Sequence, residues 1–129
     1  MPKFKCNKLG RDKGLAGFKS EGVIPKYKIL KGKDLQHELK LKLIEEAEEV
    51  KDEHAKDDIM IELADVLEVI DGICKAYEID KAELLRVKEE KYKARGGFKT
   101  GLYVESVEMD EDNPKVNHFR SSPDKYPEE

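Results

Sequence analysis

The chain has 129 residues, of which 42% are charged and 38% hydrophobic, with a net charge of −4. Globular chains have roughly 45–50% apolar residues, so we expect one domain with a modest core that oligomerisation completes. No apolar run approaches the ~20 residues that span a membrane, and no signal-peptide pattern opens the chain. Cys6 and Cys74 do not make a disulfide framework. These features argue against a membrane or secreted protein, and we expect a cytoplasmic location.

Residues 1–33 form a basic arm. This segment holds ten Lys or Arg against two acidic residues, a net charge of +8, whereas the rest of the chain carries −12. Glycines and Pro25 interrupt it, so we predict loops and no sustained helix. Arg11 and Lys13 lie near glycines that allow close backbone approach, which favours phosphate binding. The alternatives are a flexible leader and an arm that folds onto the acidic body.

Residues 34–97 predict a core of three helices. The first runs from Leu35 to about Lys51, with Asp34 as its cap. Its apolar arc consists of Leu35, Leu39, Leu43, Ala47 and Val50. Glu46 falls inside this arc, while Glu49 flanks it and Glu45 lies further round. A carboxylate in a core-facing stripe costs roughly several kcal/mol in desolvation unless it is paired or binds a metal.

The second helix places two further acids beside its core stripe. Asp57 or Asp58 caps it, and it continues to about Glu78. We predict a core stripe of Ile59, Leu63, Val66, Leu67, Ile70, Ile73, Cys74 and Tyr77. Glu62 and Asp65 lie beside that stripe, so an antiparallel hairpin can point both acidic pairs at one volume. Clustered carboxylates favour a hard cation, Mg²⁺ first and Mn²⁺ as an alternative. The other interpretation is solvated helix faces with Lys partners.

The third predicted helix begins after Asp80 and ends at Arg95, before two glycines. Its cationic edge, which includes Lys91 and Arg95, is either a phosphate clamp or a favourable interaction with the helix dipole. Residues 98–129 predict an extended tail. Within it, residues 102–107 predict a short strand that pairs with residues 27–30.

Four segments together resemble one enzyme superfamily. They are KLIEEAEE at 42–49, ELADVLEVI at 62–70, NKLGRDK at 7–13 and RGGF at 95–98. The chain resembles the all-α nucleoside triphosphate pyrophosphohydrolases, the MazG-like group, and within it a phosphoribosyl-ATP pyrophosphohydrolase-like subgroup. The resemblance covers roughly residues 7–103. Gly10 and the glycine-rich stretch 14–22 depart from the family pattern.

The resemblance implies a helical hairpin that dimerises into a core like a four-helix bundle, as a homodimer or a dimer of dimers. It implies Mg²⁺-dependent hydrolysis of a nucleotide at the α–β phosphoanhydride, with Glu46 or Glu49 acting on the attacking water. The implied metal ligands are Glu45, Glu46, Glu49, Glu62 and Asp65. The implied phosphate-binding residues are Lys91 and Arg95, with Arg11 and Lys13 closing over the phosphates.

Three functional hypotheses follow. The first is a pyrophosphohydrolase that removes non-standard or surplus nucleoside triphosphates. The second is phosphoribosyl-ATP hydrolysis in histidine biosynthesis, and the third is a helical dimer that binds nucleotide without catalysis. No membrane or nucleic-acid partner is expected, because the acidic body would repel a polyanion.

Overall fold

The computed structural model describes residues 1–129, with 53% of the residues in helices and no strand. The helices are α1 (Gly14–Ser20), α2 (Gly32–Asp52), α3 (Lys56–Ala76), α4 (Lys81–Arg95) and α5 (Val116–Arg120). They are divided between two compact units, Met1–Ala94 and Arg95–Glu129. The prediction of an all-α fold is confirmed. None of the helices has the length and apolar character needed to cross a membrane.

The long helices α2 and α3 form a hairpin and have 21 residues each. At 1.5 Å per residue each is about 31 Å long. The predicted cap residues are wrong, because both helices begin earlier: Lys31 is the N-cap of α2 and Ala55 the N-cap of α3. Asp34, Asp57 and Asp58 lie instead in the first turns, where a carboxylate is stabilised by the positive end of the helix dipole.

A close approach of the two helices fixes their register. Gly72 of α3 faces Leu39 of α2 so closely that a Cβ atom at Gly72 would lie 3.0 Å from Leu39 Cδ2. The side-chain amide of Gln36 donates a hydrogen bond to the carbonyl oxygen of Ala76 at 3.1 Å. This contact also satisfies a carbonyl in the last turn of α3, which has no partner within the helix.

The face of α3 that packs against α2 differs in part from the predicted one. Val69, which lies outside the predicted stripe, is buried with 9% exposure, and Cys74 of the predicted stripe is buried with 4%. Leu63 and Leu67, also predicted as core, are 47% and 62% exposed. The α3 sequence has two apolar faces, and the close contact at Gly72 turns the one that contains Val69 toward α2. The other face is partly covered, and its exposed members are Leu63, Leu67 and Tyr77.

Three predictions about the segments that flank the hairpin are wrong. Neither residues 27–30 nor residues 102–107 form a strand. The basic arm contains α1, where no helix was predicted: two turns form despite Gly14 and Gly17, and residue Gly22, with φ of +71°, follows them. Gly is unfavourable in a helix but readily takes positive φ, so it permits the turn that ends this short segment.

Helix α4 begins as predicted. Asp80 Oδ1 accepts a hydrogen bond from the backbone N–H of Ala82 at 2.8 Å, which caps the helix. Glu83 does not complete a capping box; its carboxylate accepts hydrogen bonds from Arg86, the shorter at 2.6 Å. Every residue of α4 is exposed, and within residues 1–94 only α2 and α3 pack on each other extensively.

The second unit is not a wholly extended tail, because it contains α5. The rings of Phe119 and Tyr126 contact each other edge to face, with centroids 4.9 Å apart. Arg120 donates hydrogen bonds to the carboxylates of Glu111 and Glu128, and both contacts raise the pKa of its guanidinium. These contacts fold residues 111–128 back on themselves.

Candidate metal centre

The α2–α3 hairpin brings four carboxylates together. Glu46 and Glu49 lie one turn apart on α2, and Glu62 and Asp65 lie one turn apart on α3. One carboxylate oxygen from each residue lies within 4.8 Å of those of the others. Residues three apart share a helix face, and the antiparallel register places the two pairs opposite each other. The predicted convergence of these four acids is what the structure shows.

Glu46 is the most buried member of this carboxylate cluster, with 7% exposure. Its Oε1 lies 3.6 Å from the ammonium of Lys42, one turn earlier on α2. Its Oε2 has no hydrogen-bond partner, and the same is true of the buried Oε2 of Glu62. A buried charged oxygen without a donor is strongly unfavourable. Both orphaned atoms therefore point to a missing cationic partner.

Two members of the cluster, Glu46 and Glu49, retain protons more strongly than ordinary carboxylates do, because their pKa values are raised. Burial raises the pKa of Glu46, and the nearby Glu49 carboxyl raises it further. A hydrogen bond with Glu62 is the largest cause that raises the pKa of Glu49. Desolvation and like charge both disfavour ionisation. A bound cation would offset both effects and favour the ionised forms of Glu46 and Glu49.

The dimensions of the cluster fit a divalent cation. Oxygen ligands on opposite sides of Mg²⁺, each at about 2.0–2.1 Å, are separated by about 4.2 Å, and Ca²⁺ requires somewhat more. The ligand oxygens of the cluster span at most 4.8 Å. A shift of under about 1 Å would bring them to Mg²⁺ coordination distance, and all four are the hard oxygen donors that this ion prefers.

Glu45, the fifth predicted ligand, lies outside this group. Its Oε1 accepts a hydrogen bond from Lys8 of the basic arm at 3.0 Å, and its Oε2 accepts one from Lys42 at 3.3 Å. The bond from Lys8 is the largest cause that lowers the pKa of Glu45. The structure thus gives Glu45 two cationic partners already, and its role as a metal ligand stays a prediction.

Arg11 reaches the edge of the cluster from the basic arm. Its Nη2 donates a hydrogen bond to Asp65 Oδ1 at 2.7 Å, and its Nη1 lies 3.6 Å from Glu68 Oε1. Glu68 follows Asp65 by one turn of α3, so both carboxylates face the arm. Of the four predicted phosphate-binding residues, Arg11 is the one that contacts a member of the cluster.

Two of the other predicted phosphate-binding residues, Lys13 and Lys91, form no ion pair with the cluster. Lys13 directly precedes α1 and makes no ion pair. Lys91 lies on the exposed helix α4, also without an ion pair, and Arg95 belongs to the second unit. Their roles stay predictions. Lys42 was not among the predicted site residues, although its position four residues before Glu46 signals an ion pair on a helix.

Known proteins offer no match from which the role of this site can be inferred. The chain matches no protein family model, no curated protein and no solved structure. The geometry of the carboxylate cluster and its cationic neighbours is therefore the basis for the functional interpretation.

Proposed function

We propose that this protein is a Mg²⁺-dependent nucleotide pyrophosphohydrolase. It would cleave the α–β phosphoanhydride of a nucleoside triphosphate to a monophosphate and pyrophosphate, removing non-standard or surplus nucleotides. The observation that carries this proposal is the carboxylate cluster, in which the buried Glu46 Oε2 lacks any donor. The sequence resemblance to MazG-like enzymes supplies the substrate class.

Four carboxylates repel a triphosphate, so substrate binding at this cluster requires an intervening cation. Bound Mg²⁺ neutralises phosphate oxygens and the charge that develops on the leaving pyrophosphate. Glu46, Glu49, Glu62 and Asp65 are the residues that would hold it. The chain needs no covalent intermediate, because water can attack the anhydride directly once that charge is neutralised.

Glu49 is the favoured general base. It is the exposed member of the cluster, whereas Glu46 is buried, so Glu49 can contact an attacking water. A carboxylate that is not fully engaged with the metal can accept the proton of that water. The water oxygen would form a bond to the α-phosphorus and give its proton to Glu49. The bond from that phosphorus to the bridging oxygen breaks, and pyrophosphate leaves with the bridging oxygen.

A homodimer is part of this proposal. The buried apolar core of one chain consists of Val69 and Cys74. Met60, Leu63 and Leu67 share one face of α3 and are each about half exposed or more. A core this small is insufficient for a chain of this length, and a second hairpin would bury these side chains. Sedimentation equilibrium of the full chain measures the mass directly; a monomer at micromolar concentration would contradict a homodimer.

The function is tested by incubating the full chain with Mg²⁺ and a panel of nucleotides and measuring released pyrophosphate. The panel contains standard and modified nucleoside triphosphates together with phosphoribosyl-ATP. We expect Mg²⁺-dependent release from at least one triphosphate. Release from phosphoribosyl-ATP alone would support the histidine-biosynthesis alternative.

Two variants separate this activity from that of a contaminant. Glu62→Gln and Asp65→Asn each remove one charge from the carboxylate cluster and preserve side-chain size, and we expect turnover to fall at least about 100-fold, the scale on which loss of a positioned charge affects catalysis. Glu48→Gln, on the same helix as Glu46 and outside the cluster, is the control. Nucleotide binding without turnover would favour the non-catalytic dimer.

A further inference from the structure

Two cations of the basic arm, Lys8 and Arg11, attach it to the α2–α3 hairpin. Lys8 bonds to Glu45 of α2, and Arg11 bonds to Asp65 of α3. Leu9, between them, is partly buried. The arm therefore lies against both helices beside the carboxylate cluster, and these two hydrogen-bonded ion pairs differ in one respect. Only the pair made by Arg11 involves a residue of the cluster.

The second partner of Arg11 lies outside the cluster. Glu68 Oε1 is 3.6 Å from Arg11 Nη1, one turn along α3 from Asp65. A guanidinium carries five N–H donors in a planar fork, so it can exchange one carboxylate for another with little movement. Arg11 can therefore leave Asp65 and stay attached to the hairpin through Glu68.

A divalent cation at the cluster and the guanidinium on Asp65 compete. Both draw on the negative charge of the same carboxylate, and as like charges a few ångströms apart they repel each other. The repulsion is only partly screened, since Asp65 is 34% exposed. Binding of a metal ion thus weakens the Arg11–Asp65 bond, and by linkage that bond weakens metal binding by the same factor.

We propose that Arg11 is an internal counter-cation that occupies Asp65 in the metal-free protein and is released from it when a metal ion binds. The released guanidinium then faces the metal with free donors, placed to hold a phosphate oxygen of the substrate. The arm thereby couples metal occupancy to substrate binding. This inference rests on the metal site of the proposed function and adds the coupling to it.

The test measures Mn²⁺ binding alone, by the electron paramagnetic resonance signal of free Mn²⁺, in the full chain without nucleotide. We expect Arg11→Gln to bind Mn²⁺ about two- to fivefold more tightly than the wild type, the factor that corresponds to losing one partly exposed ion pair. A residue that only anchors phosphate would leave this affinity unchanged.

Two matched variants control for the loss of one positive charge from the arm. Lys5→Gln removes an exposed lysine that makes no ion pair, and Lys8→Gln removes the lysine that bonds to Glu45, outside the cluster. We expect Lys5→Gln to leave Mn²⁺ affinity unchanged and Lys8→Gln to change it less than Arg11→Gln does. Equal tightening in all three would mean a general charge effect and would overturn the proposal.

A second readout follows the arm directly. Trypsin must accept the side chain of Arg11 to cleave the bond to Asp12, so the ion pair with Asp65 slows this cleavage. We expect Mn²⁺ to accelerate it in the wild type, measured by mass spectrometry as the combined fragments that end at Arg11, with cleavage after Lys5 as the internal reference. An unchanged rate of cleavage after Arg11 in saturating Mn²⁺ would contradict the proposed release of Arg11 from Asp65.

The outcomes separate this inference from the proposed function. One outcome is that the wild type binds Mn²⁺ and releases pyrophosphate while Arg11→Gln binds Mn²⁺ no more tightly. That result would overturn the counter-cation role of Arg11 and would support the proposed enzymatic activity. Absence of Mn²⁺ binding by the wild type would overturn both. Tighter Mn²⁺ binding in Arg11→Gln without pyrophosphate release by the wild type would support the counter-cation and contradict the enzyme.

Discussion

The ammonium of Lys42 lies 3.6 Å from Glu46 Oε1 and leaves Oε2 of the same buried carboxylate without a donor. Lys42 is also 3.3 Å from Glu45 Oε2, so its single charge serves two carboxylates. On the other side of Glu46 are the carboxylates of the cluster. The metal-free protein therefore contains a carboxylate that is only half compensated, and its energetic cost can be measured.

Replacing Glu46 by Gln should stabilise the metal-free protein and remove its response to metal. The variant relieves repulsion within the cluster and supplies an amide donor, so we expect the free energy of unfolding at pH 8 to rise by about 1–3 kcal/mol, the usual cost of an unsatisfied buried polar group. Urea denaturation in the presence of a chelator measures this change. Added Mg²⁺ should raise the melting temperature of the wild type and not that of Glu46→Gln.

The control for this substitution is Glu48→Gln, which removes an exposed carboxylate from the same helix. We expect its unfolding free energy to stay within about 0.5 kcal/mol of the wild type, as for most surface substitutions, and its melting temperature to rise with Mg²⁺ as in the wild type. A metal-free Glu46→Gln protein less stable than the wild type would show that Lys42 compensates the buried carboxylate fully.

The stability gain from Glu46→Gln should depend on pH. The folded pKa of Glu46 is raised above its ordinary 4.5, chiefly by burial, so its protonated form is favoured in the folded protein. The contribution of Glu46 is therefore most favourable below pH 4.5 and is lost as the pH rises through the raised value. We expect the difference in unfolding free energy between Glu46→Gln and the wild type to grow with pH over this interval, measured with a chelator present.

Glu48→Gln is again the control, because this variant keeps Glu46 and therefore its raised pKa in the folded protein. Its unfolding free energy should follow the pH dependence of the wild type. A difference between Glu46→Gln and the wild type that stays constant from pH 4 to 8 would mean that Glu46 does not titrate differently in the folded and unfolded chain.

The convergence of the four carboxylates could be predicted from the sequence because it follows from the periodicity of each helix. Glu46 falls inside an apolar arc in the sequence, and spacings of three residues put Glu49 with Glu46 and Asp65 with Glu62. The hairpin turn is short enough to force an antiparallel arrangement. The fate of Glu45 could not be predicted, because its partner Lys8 is 37 residues away and approaches only when the arm folds back.

Glu45 and Glu62 provide a direct comparison of a residue outside the cluster with one inside it. Glu45→Gln removes a carboxylate already satisfied by Lys8 and Lys42, so we expect Mn²⁺ affinity to change less than about threefold. Glu62→Gln removes a ligand with an orphaned oxygen, and we expect a loss of at least about tenfold, roughly one lost charge-assisted contact of 1.4 kcal/mol or more.

Isothermal titration with Mn²⁺ measures both affinities in parallel, and far-ultraviolet circular dichroism verifies that each variant keeps its helices. Equal losses of affinity in the two variants would place Glu45 among the metal ligands, as the sequence resemblance implies. This would require Lys8 and Lys42 to release it when the metal binds.

The choice of α3 face could not be predicted from hydrophobicity, because Leu63 and Leu67 make as good a stripe as the face with Val69. The deciding feature is Gly72, whose missing side chain lets Leu39 approach. A pattern of apolar residues indicates which side chains become buried, but it does not identify the surface that buries them. The exposed Leu67 belongs to a face that one chain leaves partly uncovered.

Substitutions at Gly72 test whether this contact sets the register of the metal site. Alanine gains about 1 kcal/mol of helix propensity, but its Cβ would lie 3.0 Å from Leu39 Cδ2. The Leu39 methyl can shift by a few tenths of an ångström, so we expect Gly72→Ala to change the unfolding free energy by under about 0.5 kcal/mol. Gly72→Leu should cost about 1–3 kcal/mol, because it overpacks the seam.

Mn²⁺ affinity in the Gly72 variants distinguishes a change in helix register from a change in stability alone. Gly72 lies two helical turns from Asp65, so forcing the helices apart there should also separate the opposing carboxylates and weaken Mn²⁺ binding in Gly72→Leu, with binding retained in Gly72→Ala. Gly17→Ala, at a helical glycine with no atom within 4 Å of the added Cβ, is the matched control and should retain both stability and Mn²⁺ affinity. Wild-type Mn²⁺ affinity in a destabilised Gly72→Leu protein would show that the carboxylates keep their positions without the Leu39–Gly72 contact.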